Sequence, residues 1–165
     1  MKIERDDLTR PAIHALLEEH LRSMHSLGPP ESVHALDLER LRAPHITFWS
    51  AWDDAGLLGC GALAQLDATH GEVKSMRTPE ARRRTGAGRA LLMHIIEVAR
   101  SRGYRRLSLE TGSVAAFDPA HRLYESVGFV RTGPFGNYVE DVNSVFMTLD
   151  LCAPPRTPAG ASTAR

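Results

Sequence analysis

Cysteine and net charge are both scarce in this chain of 165 residues. Only Cys60 and Cys152 occur, and 20 lysines and arginines balance 20 aspartates and glutamates, so the formal net charge is zero. Two isolated cysteines do not make a disulfide framework, which suits a reducing compartment. A neutral chain has no overall field that draws it to nucleic acid or to an anionic membrane, and we expect neither partner.

Long apolar runs and metal-binding patterns are also missing. No segment approaches the ~20 apolar residues of a membrane span, and residues 1–10 are too polar for a signal peptide. Eight histidines are present, but they are scattered and form no H-E-x-x-H or paired C-x-x-C pattern. We therefore expect a cytoplasmic protein without a metal site.

Apolar periodicity and turn residues predict one α/β domain over residues 1–152. Its elements form an α+β mixed sheet in the order β-α-α-β-β-β-α-β-α-β-β. The clearest helix begins near Gly88 and ends near Arg102, because its apolar residues recur at helical spacing. A second, less regular helix is predicted directly after Pro30. Residues 153–165 have almost no apolar side chains, and we expect a disordered tail there.

An arginine-rich turn precedes the clearest helix. Residues 82–84 are all arginine, Gly86 and Gly88 follow, and Arg89 lies in a first helical turn that contains no acidic residue. A helix N-terminus carries a charge of about +0.5, so this cationic cluster favours an arriving anion, and the glycines let backbone N–H groups approach it. No Lys-Ser/Thr pair and no third glycine follow, which excludes a P-loop and the dinucleotide fingerprint. Alone, the pattern leaves phosphate binding and a solvated turn equally open.

Three motifs in fixed order resemble those of the GNAT superfamily of acyl-CoA-dependent N-acetyltransferases. Arg83, Gly86 and Gly88 match its Q/R-x-x-G-x-G/A motif, Glu72 has the position of a glutamate in the preceding strand, and residues 123–129 match its L-Y-x-x-x-G-F ending in full. The segments PPESVHAL, ITFWSAW, GEVKSMRT, RLSLETGS and NSVFM are most similar to small bacterial members of the YsnE type. The resemblance covers nearly the whole predicted domain and implies a sheet whose two central parallel strands splay apart.

The resemblance also implies acetyl-CoA as co-substrate and assigns its site. The diphosphate of CoA would lie on backbone N–H groups of the turn, and the pantetheine arm would pair with the strand before it. The implied residues are Met76, Thr78, Arg83, Arg84, Gly86, Ala87, Gly88 and Arg89. Two positions depart from the family pattern, because Arg84 stands where many relatives have glycine and Phe117 stands where many have an asparagine that contacts CoA.

Three residues are candidates for acid–base chemistry. A phenol near the leaving thiolate can protonate it, and the resemblance assigns this role to Tyr124; packing in the core is the alternative. An attacking ammonium must lose a proton, and Glu72 or its rival Glu110 on the adjacent parallel strand can accept it, directly or through water. Strict alternation puts Glu72, Lys74 and Met76 on one face of their strand, and which face meets the acceptor stays open.

Family analogy places the acceptor across the sheet from the CoA arm, beside the first two helices. The implied candidates are His20, Met24, Ser32 and His34, with Trp49 and Tyr138 as an aromatic wall. Ordinary packing explains each of these residues at least as well. Aromatic and histidine side chains with few acids favour a small acceptor that is not strongly cationic. The last strands of family sheets often pair between subunits, so a homodimer is an open alternative.

The resulting hypothesis is transfer of an acetyl group from acetyl-CoA to the amine of a small molecule, by direct attack in a ternary complex. No cysteine has a convincing nucleophile position, which argues against an acyl-enzyme. The alternative is a non-catalytic acyl-CoA-binding sensor or partner module with the same fold. A phosphate-binding enzyme of another superfamily is disfavoured, because the P-loop lysine and a metal-binding aspartate arrangement are missing.

Overall fold

The computed structural model describes residues 1–152, and the tail predicted at residues 153–165 lies outside the described residues. Within the described part, seven strands form one sheet in the order β1-β2-β3-β4-β5-β7-β6. The strands are β1 Lys2–Arg5, β2 Ile46–Asp53, β3 Gly56–Gln65, β4 His70–Arg77, β5 Arg106–Gly112, β6 Val130–Thr132 and β7 Ser144–Asp150. The helices are α1 Pro11–Leu27, α2 Leu38–Leu41, α3 Ala87–Ser101 and α4 Asp118–Ser126. The mixed-sheet fold and the element order are those predicted.

The prediction of a helix directly after Pro30 is wrong over most of the segment. Residues Pro30–Ser32 form a 3-10 turn, and the α-helical part is limited to α2. The side chain of Asp37 accepts a hydrogen bond from the backbone N–H of Arg40, which caps a new helix start. The apolar spacing misleads because Leu36 packs against the core from a segment that is not helical.

Helices cover both faces of the sheet. On one face, Ile13 and Leu17 of α1 pack with Phe48 of β2. On the other face, Leu91 and Ile95 of α3 are fully buried in a second core. Burial of each such side chain contributes roughly 1.5–3 kcal/mol, so the apolar stripe of α3 holds this helix on the sheet. Among residues 1–152, no helix has both the length and the apolarity to cross a membrane.

The parallel pair β4 and β5 separates partway along its length. Its register runs from His70 opposite Arg106 to Glu72 opposite Ser108, and the ladder ends there although both strands continue. β5 stays paired with β7 up to Gly112 and β4 stays paired with β3 up to Arg77, so each strand follows its other neighbour as the two separate. The predicted splay between the central parallel strands is therefore present.

A bulge in β4 accompanies this separation. Opposite β3, the register jumps from Ala62 against Lys74 to Cys60 against Arg77, which leaves one extra residue in β4. Ser75 in the bulge has a left-handed φ of 54°, a conformation that costs a non-glycine residue roughly 1–2 kcal/mol. A bulge of this kind bends its strand and changes the direction of the side chains that follow.

The bulge also overturns the predicted alternation along β4. Met76 does not share a face with Lys74, because its Sδ and the Ile95 side chain of α3 crowd the same side of Gly61. The next residue, Arg77, turns to the opposite face and pairs with Glu19 of α1. Strict period-2 alternation cannot anticipate this exchange, since the extra residue shifts the pattern by one.

Candidate active site

One cleft of about 930 Å³ opens where β4 and β5 separate. Its walls come from α1, the α1–α2 connection, β4, the turn before α3, β5 and α4. Most of the sequence-predicted site residues line this single cleft: His20, Met24, Ser32, His34, Glu72, Met76, Thr78, Arg83, Arg84, Gly86, Ala87, Gly88, Arg89, Glu110, Phe117 and Tyr124. The predicted donor, acid–base and acceptor sites are therefore parts of one space.

The turn before α3 forms a concave row of backbone donors. Within the described residues, the N–H groups from Arg84 to Arg89 have no acceptor in the protein. Gly86, with a φ of 86°, is the N-cap residue directly before α3, and no acid lies in the first turn. Successive N–H groups at a helix start make an anion site.

Arg84 itself has a left-handed φ of 62° in this turn. A glycine adopts that conformation without cost, whereas arginine pays roughly 1–2 kcal/mol. The side chains of Arg83, Arg84 and Arg89 are exposed, and Arg89 Nη1 donates to Ser126 Oγ of α4 at 3.0 Å. These exposed cations are positioned to add to the field of the backbone donors.

Tyr124 reaches the cleft from α4. Its side chain is buried, with the ring 5.9 Å from that of Phe129, so the phenol is held in the wall of the cleft. Burial, with a smaller contribution from the charge of Glu110, raises the pKa of Tyr124 to about 12. The phenol therefore keeps its proton near neutral pH and can donate it.

Glu72 is a buried carboxylate whose Oε1 is already engaged. Lys74 Nζ donates to it at 3.0 Å and Tyr138 OH donates to it at 2.5 Å, while Lys74 Nζ lies 3.0 Å from Tyr138 OH. Burial and the adjacent carboxylate raise the pKa of the Tyr138 phenol above its ordinary value, so this donor persists. The three groups form a closed network on the α1 face of the sheet.

Glu110 of β5 is less constrained. Ser144 Oγ donates to its Oε1 at 3.0 Å, and Lys74 is near enough to affect its charge. Burial raises the pKa of Glu110 to about 7, against the lowering influence of these two partners. A carboxylate that titrates near neutrality can both accept and release a proton under ordinary conditions.

The side of the cleft beside α1 is tied to the loop between β6 and β7. Ser32 Oγ donates to Asp141 Oδ2 at 2.5 Å, and Asn143 Nδ2 donates to Ser32 Oγ at 3.3 Å. The His34 ring meets the Tyr138 ring edge-on, with centroids 4.9 Å apart. Ser32 and His34 thus lie in a wall built from two distant chain segments.

Three predicted residues have different surroundings from those expected. Trp49 lies outside the cleft, on the α3 face, with its ring 5.4 Å from that of His94. Tyr138 donates a hydrogen bond to Glu72 and does not itself line the cleft. Phe117 lines it, but its ring covers Gly112 so closely that a Cβ there would be 2.1 Å away.

Sequence reasoning missed Lys74 and Arg77 as part of the site. Both line the cleft on the α1 side, with side chains 12% and 15% exposed. Proximity of Lys74 to Glu72 in the chain was a usable signal, whereas Arg77 depends on the bulge. No group of three or more potential metal ligands occurs in residues 1–152.

A family model described as the acetyltransferase (GNAT) family matches residues 13–129. The chain is also 58% identical over 151 residues to the uncharacterized N-acetyltransferase YsnE of Bacillus subtilis, covering 92% of this chain and 100% of YsnE. The chain belongs to the GNAT acetyltransferase family. The predicted resemblance to this family and to YsnE is confirmed.

Two further relatives agree with GNAT membership. A protein named IAA acetyltransferase from Azospirillum brasilense is 40% identical, covering 90% of this chain and 97% of the relative. A solved acyl-CoA N-acyltransferase from Klebsiella pneumoniae has a TM-score of 0.73 at 25% identity, covering 91% of this chain and 97% of that one. The GNAT fold and an acetyltransferase that uses acetyl-CoA are therefore confirmed, while the role of each site residue stays a prediction.

Proposed function

We propose that the protein acetylates the amine of a small molecule by direct attack on acetyl-CoA within the cleft between β4 and β5. The observation that carries this proposal is the convergence of three features on one space. Backbone donors without an acceptor among residues 1–152 lie at the start of α3, a buried phenol lies at Tyr124, and a carboxylate with a pKa near neutrality lies at Glu110. A non-catalytic sensor needs only the first of these.

Acetyl-CoA enters from the α3 and α4 face. Its diphosphate binds the N–H groups of the turn around Gly86, and its pantetheine arm follows the end of β4 near Met76 and Thr78. Among residues 1–152, no strand pairs with the end of β4 on the β5 side, so its backbone can pair with the amide groups of the arm. The thioester then lies between β4 and β5, beside Tyr124.

The amine enters from the α1 face and loses a proton to Glu110. We assign the base to Glu110 because Glu72 Oε1 already accepts from Lys74 and Tyr138. The neutral amine attacks the thioester carbonyl, the C–S bond breaks as the C–N bond forms, and Tyr124 protonates the departing thiolate. Glu72 holds Lys74 and Tyr138 in place.

The names of relatives suggest where an acceptor screen should begin. The Azospirillum relative is named for IAA, which belongs in the screen beside simple amines and amino carboxylates. Lys74 and Arg77 within the acceptor half disfavour a polycationic acceptor, which agrees with the sequence-based expectation.

Initial-rate kinetics with two substrates test this function. CoA release is followed while acetyl-CoA and the best amine of the screen are varied together, and the acetylated product is identified by mass spectrometry. Direct attack in a ternary complex predicts intersecting double-reciprocal lines and an N-acetyl product. Parallel lines would indicate an acetyl-enzyme, and stabilisation by CoA without turnover of any amine would favour the sensor.

A further inference from the structure

The carboxyl group of Glu110 has one engaged oxygen and one open oxygen. Oε1 accepts a hydrogen bond from Ser144 Oγ at 3.0 Å. Oε2 accepts none from residues 1–152, and it is not among their buried polar atoms that lack a partner. Because Glu110 lines the cleft, Oε2 is the oxygen that a ligand in the cleft can reach. Ser144 therefore contacts the proposed base at the oxygen that the amine does not use.

The register between β5 and β7 brings this hydroxyl to the base. Glu110 lies opposite Phe146 and Gly112 lies opposite Ser144, so Ser144 is a diagonal neighbour of Glu110. Side chains two residues apart in a strand share a face, and a diagonal neighbour is within reach of a long side chain. The contact is therefore built into the pairing of two strands.

Ser144 is itself held in place by the loop between β6 and β7. Its N–H donates to the backbone carbonyl of Asp141 at 3.0 Å, and the carboxylate of Asp141 accepts from Ser32 Oγ in the wall beside α1. Ser144 is also the first residue of β7, a strand that pairs with β5 along its whole length. A side chain on such a fixed backbone holds the group that it contacts in one orientation.

Other titratable and charged groups also surround Glu110. They are Glu72 and Lys74 of β4, Tyr124 of α4, and Tyr138 and Asp141 of the β6–β7 loop. Burial has the largest influence on the pKa of Glu110 and raises it, Lys74 lowers it, and the charges of Glu72 and Asp141 raise it. Within residues 1–152, none of these groups donates a hydrogen bond to Glu110. The contact with Ser144 can therefore be removed without removing a charge.

We propose that Ser144 is a positioning residue for acetyl transfer, which holds Oε1 of Glu110 so that Oε2 faces the cleft and accepts the proton of the amine. This proposal rests on the proposed function, because it takes Glu110 as the base. The proton leaves the ammonium nitrogen and bonds to Oε2, while the hydrogen bond from Ser144 to Oε1 stays in place. A hydroxyl that donates to the ionised form favours that form, so Ser144 also limits the rise in the pKa of Glu110.

The pH dependence of kcat/KM in variants of Ser144 tests this role. Ser144→Ala should move the inflection upward by about one pH unit, because a hydrogen bond to a charged group is worth about tenfold in an equilibrium constant. The rate above the inflection should fall roughly tenfold, since the carboxyl group loses its orientation, while the affinity for acetyl-CoA stays unchanged. Ser144→Thr keeps the hydroxyl and should keep the wild-type inflection.

Thr148→Val is the matched control on the same face of β7. It removes a hydroxyl that donates to the carbonyl of Leu107 and lies outside the cleft. This variant should lose stability without any movement of the inflection. An inflection that stays in place in Ser144→Ala, or one that moves equally in Thr148→Val, would overturn the proposal.

Urea denaturation over a range of pH checks the same contact without turnover. The free energy of unfolding of the wild type should fall up to about pH 7, and that of Ser144→Ala should keep falling for about one further pH unit. Equal ranges in the two proteins would contradict the role of Ser144. A wild-type kinetic inflection that survives in Glu110→Gln would instead contradict the proposed function, so the two failures are distinguishable.

Discussion

At the scale of single residues, the cleft separates two carboxylates by their surroundings. Glu72 is held by an ammonium and a phenol, while Glu110 accepts from one serine hydroxyl and is mainly influenced by burial. Carboxylates in different environments take different roles in one site, because only the one with a pKa near the working pH exchanges protons efficiently. We therefore assign proton transfer to Glu110 and positioning to Glu72.

Replacing Tyr124 by phenylalanine should lower kcat far more than it weakens acetyl-CoA binding. The ring keeps its packing against Phe129, and the proton for the thiolate is lost, which costs on the order of a hundredfold in rate. Steady-state kinetics and acetyl-CoA titration measure the two quantities. Tyr104→Phe is the matched control, because that buried ring lies in the core outside the cleft. An unchanged kcat in Tyr124→Phe would remove the acid assignment.

Sequence alone predicts the residues whose proposed chemistry is local. Gly86 and its arginine neighbours could be recognised because an anion site at a helix start is built from consecutive residues. The contact of Tyr138 with Glu72 could be expected only as a vague aromatic wall, since the two residues are far apart in the chain. Trp49 was placed wrongly, because alternation in a strand gives two faces and does not say which one meets the acceptor.

At the scale of elements, the splay of β4 from β5 is the feature that makes the site. The ladder ends at Glu72, and the bulge at Ser75 then exchanges the faces of Met76 and Arg77. No local signal in the sequence of β4 predicts the bulge, because its serine and methionine are ordinary strand residues. This single extra residue accounts for both the corrected face of Met76 and the missed role of Arg77.

CoA binding by the turn before α3 can be tested by comparing Gly86 with Gly103, which follows the other end of this helix. Gly86 and Gly103 lie at opposite ends of α3 with φ of 86° and 80°, and an added Cβ would meet nothing within 4 Å at either position. Gly86→Ala and Gly103→Ala should each lose about 1 kcal/mol of stability, from the same backbone strain. Only Gly86→Ala should weaken CoA binding, roughly tenfold, because it displaces the N–H donors.

Chemical denaturation and CoA titration of both glycine variants measure these effects. Equal CoA affinity in the two variants, at equal loss of stability, would show that the turn does not bind the diphosphate.

At the scale of the whole molecule, the sheet separates the proposed donor site from the proposed acceptor site. α3 and α4 lie on the face that carries the anion-binding turn, while α1 and the β6–β7 loop lie on the face that carries Lys74 and Arg77. The cleft reaches both faces through the opening between β4 and β5. This division places the thioester and the amine on opposite sides of one gap.

The raised pKa of Glu110 should lower the free energy of unfolding of the protein. Its pKa is raised from 4.5 to about 7 in the folded protein, so between these values the folded state binds more protons than the unfolded state. Stability therefore falls as pH rises through this range, and the cost, at most about 3 kcal/mol, is complete above about pH 7. Glu110→Gln should be more stable than wild type at about pH 8 and similar to it at about pH 4.5.

Urea denaturation of wild type and Glu110→Gln at the two pH values measures this difference. A stability gap that does not change with pH would mean that Glu110 is not strained by burial in the folded protein.

The pH dependence of kcat/KM tests the central claim most directly. With one acceptor amine for all variants, the wild-type rate should rise with pH and level off above about 7, where Glu110 is ionised. Glu110→Gln should lose this inflection together with roughly a hundredfold of the rate, whereas Glu72→Gln should keep it. An inflection near pH 7 that survives in Glu110→Gln and disappears in Glu72→Gln would contradict the account.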